Sequence, residues 1–296
     1  MPSAELERVI AARRANPYTP DKSVAQLRHE TEENGRKVPL PEGTTCTPVD
    51  ADGVPGEWIA APGAGRDKVF YFIHGGGYYR GSVAASRAAA AGISASTGAP
   101  CLSLDYRLAP EHPFPAAKDD VHTGFGWLLK QGIDPKRILV GGISAGGGLT
   151  LALILALREA GEPLPAAVVP ISAWTDLAQT GDSYRSKADV DPTISKTYLD
   201  RMADYYLNGA DPRNPFASPL YADFGGLPPM LVQVGSAETM LDDSTRLAER
   251  ARQFGVDVTL EVWEGLIHGW HGSPHILPEA RQAIRRIGEF FRQHVG

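Results

Sequence analysis

The sequence predicts an α/β fold with a mostly parallel central sheet that is covered by helices on both faces. From about residue 69 onward, short apolar or β-branched runs alternate with helical segments, which is the pattern of consecutive βαβ units. The runs are almost continuously apolar, as is typical of strands buried on both faces. The composition, with 43% apolar and 22% charged residues, is that of a globular protein and excludes disorder, collagen and coiled coil. The 296 residues are therefore expected to form one large α/β domain.

The individual elements follow from the same alternation. Six runs are predicted as strands: 69–74, 100–106, 137–142, 166–172, 229–235 and 258–264. Five helices are predicted between and after them, near 84–97, 116–131, 145–160, 239–254 and 278–293. Residues 44–61 predict an antiparallel hairpin that opens the sheet at its edge.

Two segments fall outside this alternation. Residues 1–40 carry a short amphipathic helix, with Leu6, Val9 and Ile10 as its apolar stripe, and a charged helix near 22–34. Residues 176–228 separate two strands and hold several prolines and one helix near 195–208. Insertions of that length in a compact α/β domain are usually lids or binding elements. The second segment is therefore either a cap over an active site or a solvated surface excursion.

Charge and cysteine usage limit the partners and the compartment. The net charge is −6 with no basic run, which argues against nucleic acid or an anionic membrane as the main partner. Cys46 and Cys101 are too few for a disulfide framework or a cysteine-based zinc site, and both are expected to be reduced. The N-terminal residues lack the apolar core of a secretory signal, so we expect a cytoplasmic protein. The uncharged stretch 138–157 is glycine-rich at its centre, which indicates a strand, a sharp turn and a helix rather than a membrane span.

The pentapeptide GISAG at 142–146 matches the G-x-S-x-G pattern of a nucleophile elbow. It stands between a predicted strand and a predicted helix, where the chain must turn so sharply that only small residues fit two positions before and two positions after the serine. Such a turn raises the Ser144 hydroxyl above the carboxyl edge of the sheet. The N–H of Ala145, at the start of the helix, would then point at a developing oxyanion.

A second glycine-rich motif, HGGG at 74–77, ends the strand at 69–74. Consecutive glycines let backbone N–H groups face a cavity without obstruction, so this loop can supply two further donors to a tetrahedral intermediate. The alternative is a merely flexible loop. His74 itself is expected to fix the loop by hydrogen bonding rather than to transfer protons.

A serine nucleophile needs a histidine base, and the order nucleophile, acid, histidine places that base after the last strands. His268 follows the strand at 258–264, on a loop that returns to the sheet edge where Ser144 emerges. His271 and His275 lie nearby and could be interpreted as further metal ligands. The glycines and the proline between them break any helix that would align the three side chains, so we expect no metal site.

The acid is expected after the strand at 229–235, where three carboxylates stand. Glu238 lies three residues past the strand, in the loop that can meet His268. Asp242 and Asp243 fall a turn into the following helix and are weaker candidates. The alternative for Glu238 is a purely stabilising role at the helix N-terminus.

Several motifs occur in an order that resembles the hormone-sensitive-lipase family of α/β-hydrolases, especially its bacterial esterases. They are HGGG, DYRLAPEHPFPAA at 105–117, GISAGG at 142–147, an acid, and EGLIHG at 264–269. The resemblance implies an α/β-hydrolase fold with an oxyanion hole formed by Gly76, Gly77 and Ala145. It also implies a helical cap formed by residues 1–40 and 176–215, over a catalytic domain formed by 41–175 and 216–296.

The sequence departs from this family pattern in two places. Ile143 stands before the nucleophile, where the family commonly has aspartate, so packing replaces a polar contact beneath the elbow. Glu238, Thr239 and Met240 occupy the place of an Asp-Pro-Leu motif. The residues at 105–111 resemble a family signature that braces the floor of the active site, and we interpret them as scaffold.

Together the motifs predict a carboxylesterase that hydrolyses short- to medium-chain acyl esters through an acyl-enzyme. Ser144 would attack the ester, His268 would transfer the proton, and Glu238 would orient the histidine. No metal or organic cofactor is required, the partner is a small-molecule ester, and the resemblance suggests a homodimer through the last edge strand. The alternatives are a catalytically silent receptor on the same fold, against which His268 argues, and an amidase with the same triad.

Overall fold

The computed structural model of the protein describes residues 3–16 and 21–295 and contains one eight-stranded sheet. The strands are β1 (Thr45–Ala51), β2 (Val54–Ala60), β3 (Val69–Ile73), β4 (Cys101–Leu104), β5 (Ile138–Ile143), β6 (Ala167–Ile171), β7 (Met230–Gly235) and β8 (Val258–Trp263). Their order across the sheet is β1-β2-β4-β3-β5-β6-β7-β8. Strand β2 pairs antiparallel with β1 and with β4, and the other pairs are parallel. This architecture confirms the predicted α/β fold.

Nine α-helices lie within the described residues. They are α1 (Ala4–Ala15), α2 (Val24–Arg36), α3 (Val83–Thr97), α4 (Ala116–Lys130), α5 (Ala145–Glu159), α6 (Ser183–Ser186), α7 (Lys196–Leu207), α8 (Leu241–Gln253) and α9 (Pro278–His294). Only α6 was not predicted, because four residues are too few to show a helical period. None of these helices is both long enough and apolar enough to cross a bilayer.

The helices cover both faces of the sheet. Strand β3 illustrates why the strands of this sheet are continuously apolar. Tyr71 and Ile73 belong to the cluster that packs with α4, α5 and α8 on one face. Phe70 and Phe72 point into the opposite cluster, which packs with α3 and α9. Since side chains alternate between the faces of a strand, two covered faces require an apolar residue at every position.

Each of the two segments outside the alternation contacts a loop that follows one of the last two strands, α1 the loop after β8 and the insertion the loop after β7. In α1, Leu6 is buried in a small cluster with Leu266, Ile267 and Trp270, which flank His268 in sequence. The insertion after β6 contains α6 and α7. The division into a catalytic domain and a cap at residues 40, 176 and 215 stays a prediction, and residues 1, 2 and 17–20 of the predicted cap lie outside the described residues.

Candidate active site

Ser144 occupies a tight turn between β5 and α5. Its backbone has φ 59° and ψ −121°, a strained conformation for a residue other than glycine. A Cβ atom on Gly142 would collide with the carbonyl of Gly146, and one on Gly146 would collide with the carbonyl of Ile73. The small residues of the motif are therefore needed to turn the chain. The Ser144 N–H donates to the carbonyl of Ile171 at 2.9 Å, which fixes the turn against β6.

His268 and Glu238 are hydrogen-bonded at the same edge of the sheet. Nδ1 of His268 lies 2.9 Å from Oε2 of Glu238, and both side chains are buried. The other carboxylate oxygen of Glu238 accepts from the Gly235 N–H at 2.6 Å and from the Ser172 hydroxyl at 2.7 Å. The carboxylate thus binds three donors around the histidine.

The histidine loop lies against the nucleophile elbow. A methyl group placed on Gly269, next to His268, would be 3.8 Å from Cγ2 of Ile143, next to Ser144. The Gly269 N–H also donates to the Ser172 hydroxyl at 3.5 Å. Ser172 in turn directly follows Ile171, whose carbonyl accepts the Ser144 N–H. The structure therefore gathers the three predicted triad residues at the carboxyl ends of β5, β7 and β8.

The two other candidate acids contact the insertion instead. Asp242 accepts from the Ser183 N–H at 2.9 Å. Asp243 accepts from the N–H groups of Thr175 and Asp176 at 2.8 and 2.9 Å and from the Tyr184 hydroxyl at 2.7 Å. Both carboxylates therefore tie α8 to the start of the insertion, away from His268.

Asp243 also predicts a pH dependence of stability. Burial, together with the nearby charge of Asp176, raises the pKa of Asp243 from 3.8 to about 7. Because the folded-state pKa exceeds the unfolded one, the stabilisation from the protonated carboxyl is complete below pH 3.8 and is lost as the pH rises through about 7. In Asp243→Asn, which keeps an acceptor for the two N–H groups, this loss should disappear. Urea unfolding from pH 4 to 8 should show the variant gaining relative to the wild type up to about pH 7 and levelling off above it. A difference that does not change with pH would contradict this assignment.

The HGGG loop approaches the elbow with its backbone. Gly76 and Gly77 have φ of 125° and 61°, and a Cβ on Gly77 would collide with Sδ of Met202 in α7. Within residues 3–16 and 21–295, no protein acceptor receives the N–H of either glycine. The N–H of Ala145 lies in the first turn of α5, where a helix leaves its donors unpaired. In the part of the chain that the structure describes, the three predicted oxyanion donors therefore have no protein acceptor.

Side chains on both sides of this loop hold it in place. His74 stacks on Tyr106 with a 4.1 Å centroid separation, and the Tyr106 hydroxyl donates to the His74 carbonyl at 2.9 Å. Burial lowers the pKa of His74, which favours the neutral ring of a structural residue. From α2, Arg28 donates to the carbonyl of Tyr79 at 2.8 Å and forms an ion pair with Glu111.

The other signature residues are also structural. Asp105 accepts from the Val83 N–H at 2.7 Å at the start of α3, and Arg107 pairs with Asp120 at 2.7 Å. These contacts match the scaffold interpretation of residues 105–111.

His271 does not face the same way as His268. Its Nε2 lies 2.8 Å from Oε1 of Gln233, and the side chain is fully buried. Burial, with a smaller effect of the neighbouring His268, lowers the pKa of His271 to about 3. In the part of the chain that the structure describes, no three His, Cys, Asp or Glu side chains lie close enough to hold a metal ion.

Aromatic side chains close the space behind the HGGG loop. Tyr78 stacks on Tyr206 of α7 at 3.8 Å and lies 5.7 Å from Trp174, and all three are buried. A separate open groove of about 880 Å³ lies between residues 177–180 and the second half of α7. None of the predicted site residues lines this groove, so the groove is separate from the candidate active site.

The insertion also contacts the turn that carries Glu238. Asp191 accepts from the Thr239 N–H at 2.8 Å, and the Thr239 hydroxyl donates to the carbonyl of Ile194 at 3.0 Å. Ser183 donates to the Thr239 carbonyl at 2.7 Å. The residue next to Glu238 is therefore held by three bonds from the insertion.

Sequence reasoning missed Ser172 and Arg28 as parts of the site. Ser172 directly follows a buried parallel strand, so the rule that selected Glu238 at a strand end could have selected it too. Arg28 lies in a charged helix, and nothing in the sequence around it indicates a contact 51 residues away.

Comparison with known proteins identifies relatives over nearly the whole chain. Residues 70–272 match the family described as having the alpha/beta hydrolase fold. An acetyl-hydrolase of Streptomyces hygroscopicus is 43% identical over 240 residues, which are 81% of this chain and 80% of that protein. An esterase of Acinetobacter venetianus is 38% identical over 82% of this chain and 80% of its own length.

Solved structures agree with this match. The crystal structure of an esterase from the bacterial hormone-sensitive lipase family has a TM-score of 0.97 and 48% identity and covers 100% of both chains. The crystal structure of EstE5 soaked with p-nitrophenyl butyrate has a TM-score of 0.95 and 40% identity and covers 99% of both chains. The elbow, the glycine-rich loop, the sheet topology and these similarities together show that this chain belongs to the α/β-hydrolase family, in its bacterial hormone-sensitive-lipase branch.

Proposed function

We propose that the protein is a serine carboxylesterase with Ser144, His268 and Glu238 as its catalytic triad. The observation that carries the proposal is the 2.9 Å hydrogen bond between His268 and Glu238, on a loop that packs against the elbow of Ser144. The relatives named above as esterases or acetyl-hydrolases support the same reaction class.

In the proposed mechanism, His268 removes the hydroxyl proton of Ser144 as the serine oxygen attacks the ester carbonyl. The new oxyanion receives hydrogen bonds from the N–H groups of Gly76, Gly77 and Ala145. His268 then gives the proton to the leaving alkoxide, and the acyl group remains on Ser144. A water molecule, deprotonated by His268, attacks the acyl-enzyme, and His268 returns that proton to the Ser144 oxygen as the carboxylic acid leaves. Glu238 keeps its negative charge throughout and stabilises the imidazolium.

This assignment predicts a rate that rises with pH. A histidine base works only when it is neutral, so kcat/KM should be higher at about pH 8 than at about pH 5. The measurement is hydrolysis of p-nitrophenyl butyrate below its KM between pH 5 and 9. A flat profile with chemistry rate-limiting would count against His268 as the base.

Two other functions compete with ester hydrolysis on this fold. A silent receptor would bind but not turn over p-nitrophenyl acetate, and an amidase would hydrolyse anilides at rates comparable to esters. The presence of His268 in contact with an acid favours turnover over binding alone. A matched pair of p-nitrophenyl butyrate and p-nitrobutyranilide, with Ser144→Ala as the blank, separates the three functions.

We further propose a preference for acyl chains of about two to eight carbons. Several charged side chains of the insertion are exposed, among them Asp182, Asp189 and Asp200. Of the large apolar side chains found exposed in the described residues, only Val190 belongs to the insertion. Such a surface lacks the broad apolar area that docking at an oil–water interface needs. Each methylene of the acyl chain gains about 0.8 kcal/mol only when it is buried against the protein. Methylenes that extend beyond the substrate pocket therefore add no binding energy.

The test is a series of p-nitrophenyl esters from acetate to palmitate. We expect kcat/KM to rise with the first added carbons and to fall beyond about eight, with no jump at the critical micelle concentration. Rates that climb through palmitate would instead indicate a true lipase.

The compartment and the assembly remain part of this proposal. The two thiols, Cys46 and Cys101, are unpaired, which supports a reducing, cytoplasmic location. Strand β8 is the last strand of the sheet, so its outer edge can pair with a second copy to form a homodimer. The proposed chemistry needs no metal or organic cofactor.

A further inference from the structure

We propose that Ser172 is a positioning residue for the triad, whose hydroxyl sets the orientation of the Glu238 carboxylate toward His268. The inference rests on the proposed function and adds a residue that the motifs do not include. It is carried by the hydrogen bonds of a single buried side chain.

Ser172 bonds directly to Glu238 and is linked to Ser144 and His268 through residues next to them in sequence. Its hydroxyl donates to Oε1 of Glu238 at 2.7 Å, and the N–H of Gly269, next to His268, reaches the same hydroxyl at 3.5 Å. Its own N–H donates to the carbonyl of Gln233 on β7, and the preceding residue accepts the Ser144 N–H. The residue therefore joins the three loops that carry the nucleophile, the acid and the base.

The direction of the Ser172 hydrogen bond is fixed by chemistry. A hydroxyl has one proton, and an ionised carboxylate can only accept, so the proton goes to Glu238. The Gly269 N–H occupies a lone pair of the same oxygen, which favours this orientation of the hydroxyl. Ser172 is fully buried, so its oxygen is not itself available to a substrate.

The need for such a contact follows from the length of the acid. A glutamate has one more rotatable bond than an aspartate, so its carboxylate has more orientations available. The hydrogen bonds from Gly235 and Ser172 hold Oε1 on one side and leave Oε2 facing His268. Without the hydroxyl, one backbone donor alone holds Oε1. The carboxylate can then rotate away from the histidine.

The backbone at Ser172 has φ 43°, in the left-handed region that favours glycine. Holding a serine there strains the backbone. A glycine would avoid this strain but would lack the hydroxyl. Ser172→Gly therefore removes the positioning hydroxyl without adding backbone strain.

The experiment measures p-nitrophenyl butyrate hydrolysis by Ser172→Gly and Ser172→Ala, alone and combined with Glu238→Ala. We expect each single Ser172 variant to lower kcat by roughly 10- to 100-fold with little change in KM, the scale of a misplaced catalytic group. In the Glu238→Ala background, the same substitution should change kcat less than about 2-fold, because the group it positions is gone. If one variant fails to fold, the other carries the test.

The matched control is Ser94→Ala. Ser94 is also fully buried, and its hydroxyl likewise donates one bond, to the Ala99 carbonyl, and accepts one, from the Ala61 N–H. It lies in α3, away from the triad, so its loss should lower the melting temperature and leave kcat unchanged.

Two results would overturn the inference: an unchanged kcat in folded Ser172 variants, or an equal loss of kcat with and without Glu238. Neither result would touch the proposed function, which is tested separately by the turnover of Ser144→Ala.

Discussion

Replacing Ser144 with alanine is expected to abolish hydrolysis of p-nitrophenyl butyrate and covalent labelling by a fluorophosphonate. Loss of a serine nucleophile lowers kcat by about 10⁶-fold in enzymes of this mechanism, because the covalent route disappears. The fold should be retained. The substitution removes one oxygen, and alanine meets the same backbone strain at φ 59° as serine does.

Labelling by the fluorophosphonate is the more decisive measurement, since it reports one activated hydroxyl independently of substrate choice. The melting temperature of Ser144→Ala should match the wild type, and Ser94→Ala should label normally. Wild-type labelling of Ser144→Ala would assign the nucleophile to another residue.

Removing the carboxylate of Glu238 should have the second largest effect. Glu238→Ala is expected to lower kcat by roughly 10²–10⁴-fold, the scale of losing the orienting acid of a triad. His268 would lose the partner 2.9 Å from its Nδ1 and with it the preferred tautomer and the stabilisation of the imidazolium. Since Glu238 does not bind substrate in the proposed mechanism, KM should change little.

Asp242→Ala is the matched control for this prediction, because Asp242 lies four residues further along the chain and contacts Ser183 instead of His268. It should lower kcat by less than about 10-fold. A larger loss for Asp242→Ala than for Glu238→Ala would exchange the roles of the two residues. Both kcat values should be measured with the same ester at a pH where the wild-type rate is maximal.

The sheet and the places of the candidate site residues in it could be predicted because each rests on a local signal. The strands before Ser144 and Glu238 are short apolar runs, and a parallel sheet places all their carboxyl ends at one edge. Residues that directly follow such strands therefore meet, although 94 positions separate Ser144 from Glu238. Topology, rather than proximity in sequence, made the site predictable.

The contacts that hold these groups could not be predicted, because they join elements with no shared pattern. Ser172 is one serine in a strand-end turn, and its role depends on where Glu238 places a single oxygen. Arg28 reaches the carbonyl of Tyr79 from a helix that the sequence describes only as charged. In the sequence, Asp243 is only a weaker candidate for the triad acid. The structure shows that it instead accepts a hydrogen bond from the Thr175 N–H.

The three bonds that the insertion makes to Thr239 bear on how such enzymes can be redesigned. Asp191, Ile194 and Ser183 all belong to the segment expected to shape the substrate pocket, and Thr239 adjoins the acid. We therefore expect substrate range and reaction rate to change together when this segment is altered. Replacing the insertion with that of a relative would replace the expected pocket wall. It would also replace the residues that form hydrogen bonds with Thr239, next to Glu238. A graft that keeps these three bonds should change selectivity alone, whereas one that loses them should also slow every substrate.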